Sequence, residues 1–120
     1  MVSESGVIDQ KAFDELVAST GGDAEFVSEL MDTYFADAPQ LVAQMRSSLA
    51  AGDTETFRRA AHTLKSSSAT LGALTLSAVA KELEMMGKAG SLEGAAAKIA
   101  QAETEYARAK AALELKRVAS

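Results

Sequence analysis

The side chain best suited to covalent chemistry in this sequence is its single histidine, His62. On a helical projection at about 100° per residue, His62 falls on a polar arc. The same arc carries Glu55, Arg58, Arg59, Lys65, Ser66 and Ala69. The opposite arc carries Phe57, Ala60, Ala61, Leu64, Ser67, Ser68 and Leu71. An imidazole that faces solvent, with three cations about one turn away, predicts phosphoryl chemistry rather than a packing role.

The segment that carries His62 is the third of five predicted helices. Apolar spacing predicts a short helix that begins at Asp9, and a second segment with apolar residues from Phe26 to Leu49. Pro39 should kink this second segment or split it near 36–38. The third helix is expected over about 54–71 with Gly72 as its stop, the fourth over about 74–86 with a loop at 87–91, and the last over about 92–118.

Amphipathic helices joined by short loops predict an all-α fold, namely an antiparallel four-helix bundle with a short extra N-terminal helix. The fourth helix should bury a face made of Leu76, Val79, Leu83 and Met86. The last helix should bury a seam made of Ile99, Ala102, Tyr106, Ala109 and Leu113. We expect a single domain over 1–120, with its core at about 8–115. Because an intramolecular bundle accounts for the seam of the last helix, we expect a monomer.

The composition narrows the classes of function. The chain has no cysteine, which excludes disulfides and thiolate metal sites. A net charge of −5 disfavours nucleic acid as a partner. The first five residues are polar and acidic, unlike a signal peptide, and no run of about 18 apolar residues is present. We therefore expect a cytoplasmic protein that does not contact the membrane.

The run from Ala61 to Ser68, Ala-His-Thr-Leu-Lys-Ser-Ser-Ser, with Leu71-Gly72 after it, resembles the signature of histidine-containing phosphotransfer (HPt) domains. The family pattern is Ala-His-x-Leu-Lys-Gly, followed by small residues and a glycine near the helix end. The resemblance extends over about 8–115, including the mid-chain Pro39 and a later helix that contains Leu83-Glu84. The family commonly has glycine where this chain has Ser66, whose small hydroxyl should still permit close approach of another protein.

The resemblance implies a phosphorelay intermediate. His62 would accept a phosphoryl group from the phosphoaspartate of a receiver domain and pass it to another receiver. Lys65, one turn later on the same face, would pair with the phosphoryl oxygens, and Ser66 would border them. Arg58, Arg59 and Ala69 would contact the partner, together with a neighbouring helix that we expect to be the second, and Gly72 has a structural role.

The implied partners are response-regulator receiver domains and a hybrid histidine kinase. The chain itself should need no cofactor, because the acidic pocket of the receiver would supply Mg²⁺, and no metal site is expected here. No phosphate-binding loop or kinase motif is present, so we expect no ATP-dependent kinase activity. The protein would be a covalent carrier rather than an enzyme with its own turnover.

Three other functions fit parts of the pattern. A non-catalytic helical-bundle adaptor would bind a signalling partner without using His62, so that Arg58 and Arg59 would be a solvated edge paired with Glu55. A carboxylate metal bundle is poorly supported, since the chain has one histidine and no Glu-x-x-His pair. A hydrolase with a histidine nucleophile would need a phosphate pocket of converging cations, for which this all-helical pattern offers no sheet.

Overall fold

The computed structural model describes residues 7–119, in which every regular element is an α-helix. The helices are α1 Gln10–Ser19, α2 Ala24–Ala51, α3 Thr54–Thr70, α4 Leu74–Ala89 and α5 Ala95–Ala119. The predicted all-α class is confirmed. Residues 1–6, on which the expectation of no signal peptide depends, lie outside the described part. No helix between residues 7 and 119 has the length and apolar character needed to cross a bilayer.

Aspartates start the first three helices. The carboxylates of Asp9, Asp23 and Asp53 accept hydrogen bonds from the backbone N–H groups three residues later, at 2.9, 3.0 and 3.1 Å. Each bond satisfies one of the N–H groups that a helix leaves unpaired in its first turn. The predicted start of the first helix at Asp9 is therefore confirmed. The cap at Asp53 matters most for function because it fixes where α3, the helix of His62, begins.

Gly72 ends α3 and also anchors α1. It has a φ of +85°, a backbone conformation that glycine adopts without strain. Its carbonyl accepts a 2.8 Å hydrogen bond from the N–H of Asp9. A Cβ atom at this position would lie only 2.9 Å from the carbonyl oxygen of Asp9. The turn and the close approach both explain why a glycine stands here.

The core lies between α2, α3, α4 and α5. Helix α3 packs against α2 and α4, while α5 packs against the same two helices. The predicted inner arc of α3 is buried, apart from the half-buried Ser67. The predicted face of α4 and seam of α5 are also buried, with Met86 and Tyr106 only partly so. Alanine contributes much of this core, which allows the helix backbones to approach one another closely.

Pro39 does not split the second segment. Helix α2 continues from Ala24 to Ala51 with Pro39 inside it. A proline at this position cannot donate a hydrogen bond to the carbonyl of Phe35, four residues earlier. The hydroxyl of Tyr106 on α5 donates to that carbonyl instead, at 3.4 Å. A partner from a neighbouring helix thus compensates for the missing backbone bond. Of the two outcomes expected for Pro39, a kink or a split, the split into two helices does not occur.

The boundary between α4 and α5 also differs from the prediction. Gly87 was expected to begin a loop, but α4 continues through it to Ala89. The residue that ends α4 is Gly90, with a φ of +72°, and α5 begins at Ala95 rather than near residue 92. Gly87 is instead a site of close helix contact, since a Cβ atom there would lie 3.0 Å from the Cα of Arg58.

A buried hydrogen bond joins α2 to α3 behind the polar face. The hydroxyl groups of Tyr34 and Ser68 lie 2.8 Å apart, and both residues are almost completely buried. Burial raises the pKa of Tyr34 to about 12, so the phenol remains neutral at physiological pH. Ser68 therefore does more than provide a small side chain, because its hydroxyl is the partner of a buried phenol.

We predict that Ser68→Ala lowers the free energy of unfolding by about 1–3 kcal/mol, because it leaves the buried hydroxyl of Tyr34 without a partner. Chemical denaturation measures this loss. The double variant Tyr34→Phe/Ser68→Ala removes both polar groups and should lose less than the two single variants together. Strictly additive losses would contradict the assigned hydrogen bond.

Candidate functional site

His62 lies in the middle of α3, and about half of its side chain, 53%, is exposed to solvent. This confirms that it points away from the core. Its Nδ1 atom lies 2.8 Å from Oε2 of Glu84, a residue on the neighbouring helix α4. Among the described residues, no protein group is hydrogen-bonded to Nε2. The ring is thus held at one nitrogen and open at the other.

Glu84 is the buried partner of this site. Only 11% of its side chain is exposed, although it is a carboxylate. Its second oxygen, Oε1, lies 2.8 Å from Nζ of Lys65, one turn after His62 on α3. Both oxygens therefore bind groups of α3, as expected for a buried charge that must be paired. One carboxylate of α4 joins two successive turns of α3.

The Lys65 ammonium, which donates a hydrogen bond to Glu84, lowers the pKa of the Glu84 carboxyl from its usual 4.5. The contact with His62 acts in the same direction, and burial opposes both. Glu84 is therefore ionised at neutral pH. An ionised carboxylate can only accept hydrogen bonds, so Nδ1 of His62 must be the donor. In the neutral imidazole this leaves the Nε2 lone pair unprotonated.

The two arginines predicted to flank His62 contact Glu55 instead. Arg58 donates to both carboxylate oxygens of Glu55, at 2.7 and 3.1 Å. Arg59 lies 3.6 Å from the same carboxylate. These contacts lower the pKa of Glu55, with the hydrogen bond from Arg58 as the largest cause. The His62 face thus carries two groups of ion pairs, one around Glu55 and one around Glu84. All three predicted cations of this face contact a carboxylate.

The remaining predicted residues border the imidazole at different depths. Ser66 is exposed on α3, and Ala69 is half-buried one turn further along. On the other side of α3 lies an open groove of about 440 Å³ between α2 and α3. Its lining residues are Leu41, Gln44, Thr56, Arg59, Ala60 and Thr63. Helix α2 therefore contributes to the surface beside the His62 face.

Three contacts set the register between α3 and α4. Ser77 donates to the carbonyl oxygen of Lys65 at 2.9 Å, Glu84 binds His62 and Lys65, and Gly87 lies against Arg58. Residues later in α4 contact residues earlier in α3, so these two helices run in opposite directions. Glu84 was not among the site residues predicted from the sequence. The available signal was a carboxylate next to Leu83, on the buried face of an apolar helix.

No group of three or more histidine, cysteine or acidic side chains in the described range is arranged to hold a metal ion. What the site does offer is a nucleophilic nitrogen, an ammonium one turn away and a carboxylate that orients both. This combination suits attack on an electrophilic centre that bears negative charge.

Comparisons with known proteins identify the family. The Hpt domain matches residues 29–112, which is more than half of the chain. Multistep phosphorelay regulator 1 of Schizosaccharomyces pombe is 28% identical over 95 residues, which are 78% of this chain and 32% of that protein. The chain thus spans about a third of the length of that curated relative.

A solved structure is similar over almost the whole chain. It is the crystal structure of histidine-containing phosphotransfer protein B (HptB) from Pseudomonas aeruginosa PAO1. The TM-score is 0.86 at 28% identity, with 95% of this chain and 96% of that chain covered. The chain belongs to the Hpt domain family, and its similarity to a phosphorelay regulator and to a phosphotransfer protein supports a general role as a phosphotransfer intermediate.

Proposed function

We propose that His62 accepts a phosphoryl group from the phosphoaspartate of a receiver domain, and that an aspartate of another receiver later takes it. The protein is then a covalent carrier within a phosphorelay. The observation that carries this proposal is the 2.8 Å contact between Nδ1 of His62 and the ionised Glu84. It leaves the other ring nitrogen of an exposed imidazole free to act as a nucleophile.

In the first step the Nε2 lone pair attacks the phosphorus of the acyl phosphate. The Nε2–P bond forms as the bond between phosphorus and the aspartate oxygen breaks, and that electron pair leaves with the aspartate carboxylate. The proton stays on Nδ1, so the phosphorylated ring is an imidazolium, and its charge is stabilised by Glu84. In the second step another carboxylate attacks the phosphorus, the Nε2–P bond breaks, and the neutral imidazole is restored.

Lys65 is the charge partner of the phosphoryl group in this mechanism. Its side chain is anchored on Glu84 one turn from His62 and remains 29% exposed. An ammonium with three donors can keep its bond to Glu84 and also donate to a phosphoryl oxygen. Ser66 borders the same region as a small, exposed residue, which leaves room for the backbone of the partner.

The docking surface extends from the imidazole in both directions along α3. Arg58, Arg59 and Ala69 form its rim on α3, and the groove between α2 and α3 adjoins it. Arg59 is well suited to meet an acidic receiver surface because 69% of its side chain is exposed. Exposed rim charges mainly accelerate association and contribute little to the affinity of the final complex.

The proposed partners are receiver domains and a hybrid histidine kinase, with neither nucleic acid nor a membrane involved. We propose that the chain acts as a monomeric antiparallel four-helix bundle and needs no cofactor of its own. Mg²⁺ belongs to the acidic pocket of the receiver. Catalysis then comes from the position of His62 and from charge neutralisation in the joined site, without ATP-dependent kinase activity.

We predict that His62→Gln abolishes phosphoryl transfer while the free energy of unfolding changes by no more than about 0.5 kcal/mol, since the side chain is exposed. A receiver charged with a small-molecule phosphodonor is mixed with the protein without ATP, and intact mass and peptide mapping follow. The wild type should gain one phosphoryl group on the peptide that contains His62, labile in acid and stable in base.

The same experiment distinguishes a carrier from an adaptor. If several receivers bind but none transfers a phosphoryl group to the wild type, the adaptor function replaces the carrier function. If His62→Gln is strongly destabilised, the imidazole has a structural role that its exposure does not reveal.

We predict that Lys65→Ala slows transfer by about tenfold to a hundredfold, because an ammonium that neutralises the phosphoryl group is lost. Receiver binding should persist. Quench-flow transfer rates and a separate affinity measurement test the two effects. Lys110→Ala is a matched control, because it removes one positive charge from α5 and should leave the transfer rate unchanged. An unchanged rate in Lys65→Ala would remove Lys65 from the mechanism.

We predict that Glu84→Gln slows transfer by about tenfold, because a neutral amide no longer fixes the proton on Nδ1. It should also be less stable than the wild type at neutral pH. Because the pKa of Glu84 is lowered in the folded protein, its charge stabilises the fold above pH 4.5 and this contribution is lost as pH falls through the lowered value.

Denaturation curves from pH 7 to pH 3 test the stability effect. The gap in unfolding free energy between wild type and Glu84→Gln should narrow on acidification. A gap of the same size at both ends would show that the charge of Glu84 is not the cause.

A further inference from the structure

Helices α3 and α4 approach each other closely where Gly87 meets Arg58. A Cβ atom on Gly87 would lie 3.0 Å from both Cα and Cβ of Arg58, and 3.1 Å from its backbone nitrogen. Such distances are shorter than normal van der Waals contact. None of the three atoms belongs to the flexible end of a side chain, so relief would require movement of a helix. Only a glycine fits between the two backbones without displacing them.

Backbone conformation does not explain this glycine. Gly87 does not have a positive φ, and the residue that ends α4 is Gly90. Inside a helix, glycine is less favourable than alanine. Gly87 therefore lowers the helix propensity of α4 at the point where α4 touches α3. The close approach of the two helices explains why a glycine occupies this position.

The contact lies about one helical turn from both halves of the site. Arg58 precedes His62 by four residues, and Gly87 follows Glu84 by three, so each pair shares a helix face. The two bonds of Glu84, to Nδ1 of His62 and to Nζ of Lys65, are both 2.8 Å long. Because such hydrogen bonds normally span about 2.7–3.2 Å, a shift of α4 away from α3 by a few tenths of an ångström takes both to the long end of that range.

We propose that Gly87 is a positioning residue for phosphoryl transfer: by letting α4 lie against α3, it holds Glu84 within hydrogen-bond distance of His62 and Lys65. The residue acts through helix spacing and touches no reacting atom. This inference rests on the proposed function for its effect on transfer. Its effect on the imidazole itself is a property of the free protein and is measurable without a partner.

The first test is the tautomer of His62 in the free protein. Nitrogen-15 NMR of the labelled imidazole, at alkaline pH where imidazoles are neutral, distinguishes a proton on Nδ1 from one on Nε2. The wild type should hold the proton on Nδ1. Gly87→Ala should shift a measurable fraction of it to Nε2, because the carboxylate that orders the ring has moved away.

Gly90→Ala is the matched control. It makes the same change three residues later, where a Cβ atom would meet nothing within 4 Å. The positive φ of Gly90 makes alanine unfavourable there, so the control loses stability without pushing α4 away from α3. It should keep the wild-type tautomer and transfer rate. A tautomer change in Gly90→Ala as large as that in Gly87→Ala would overturn the proposal, since loss of stability alone would then explain both.

The second test is the transfer rate from a charged receiver. Gly87→Ala should slow transfer by about tenfold with receiver affinity unchanged, the same effect that is predicted for Glu84→Gln. In a Glu84→Ala background the same substitution should change the rate by less than about twofold, because the group through which Gly87 acts is absent. Equal slowing in both backgrounds would overturn the proposal.

The remaining outcomes separate this inference from the function on which it rests. If Gly87→Ala shifts the tautomer but the wild type accepts no phosphoryl group, the helix spacing is right and the proposed function is wrong. If the wild type transfers normally and Gly87→Ala changes neither tautomer nor rate, the function stands and the positioning role is wrong. If Gly87→Ala does not fold, the close approach serves the fold as a whole and the positioning role is overturned.

Discussion

The site depends on the contact of one carboxylate of α4 with two successive turns of α3. Glu84 binds His62 through one oxygen and Lys65 through the other. The ammonium keeps the carboxylate ionised, and the ionised carboxylate in turn decides which ring nitrogen holds the proton. The three residues are thus a single unit.

This unit constrains the packing of the whole protein. A glutamate side chain spans only a short distance, so α3 and α4 must lie close together along the stretch that separates them. Alanines in the core and Gly87 at the contact with Arg58 permit that approach. On the far side, the hydrogen bond between Tyr34 and Ser68 holds α3 against α2. The helix of His62 is therefore fixed from both sides, and the imidazole has a defined direction.

Local patterns predicted most of the fold but only part of the site. Helical spacing and capping aspartates predict the helices and the outward direction of His62, because both features depend on residues that are close together in the sequence. The role of Glu84 depends on which faces of α3 and α4 meet, and a single periodic pattern does not specify that. The same limit explains why Gly87 was predicted to lie in a loop. It also explains why Pro39 does not split α2, because the carbonyl of Phe35, to which Pro39 cannot donate, accepts a hydrogen bond from Tyr106 on a distant part of the chain.

The ion pairs on the His62 face explain why this face is better suited to a phosphoryl carrier than to tight binding of phosphate. Arg58 and Arg59 are engaged by Glu55, and Lys65 by Glu84, so three cations face two carboxylates before any phosphoryl group arrives. A phosphoryl group of charge about −2 would meet one imidazolium and a lysine that is already shared. Such a site compensates the added charge only partly. In the proposed relay, the phosphoryl group would therefore remain available to a second receiver, whose own pocket supplies the missing positive charge.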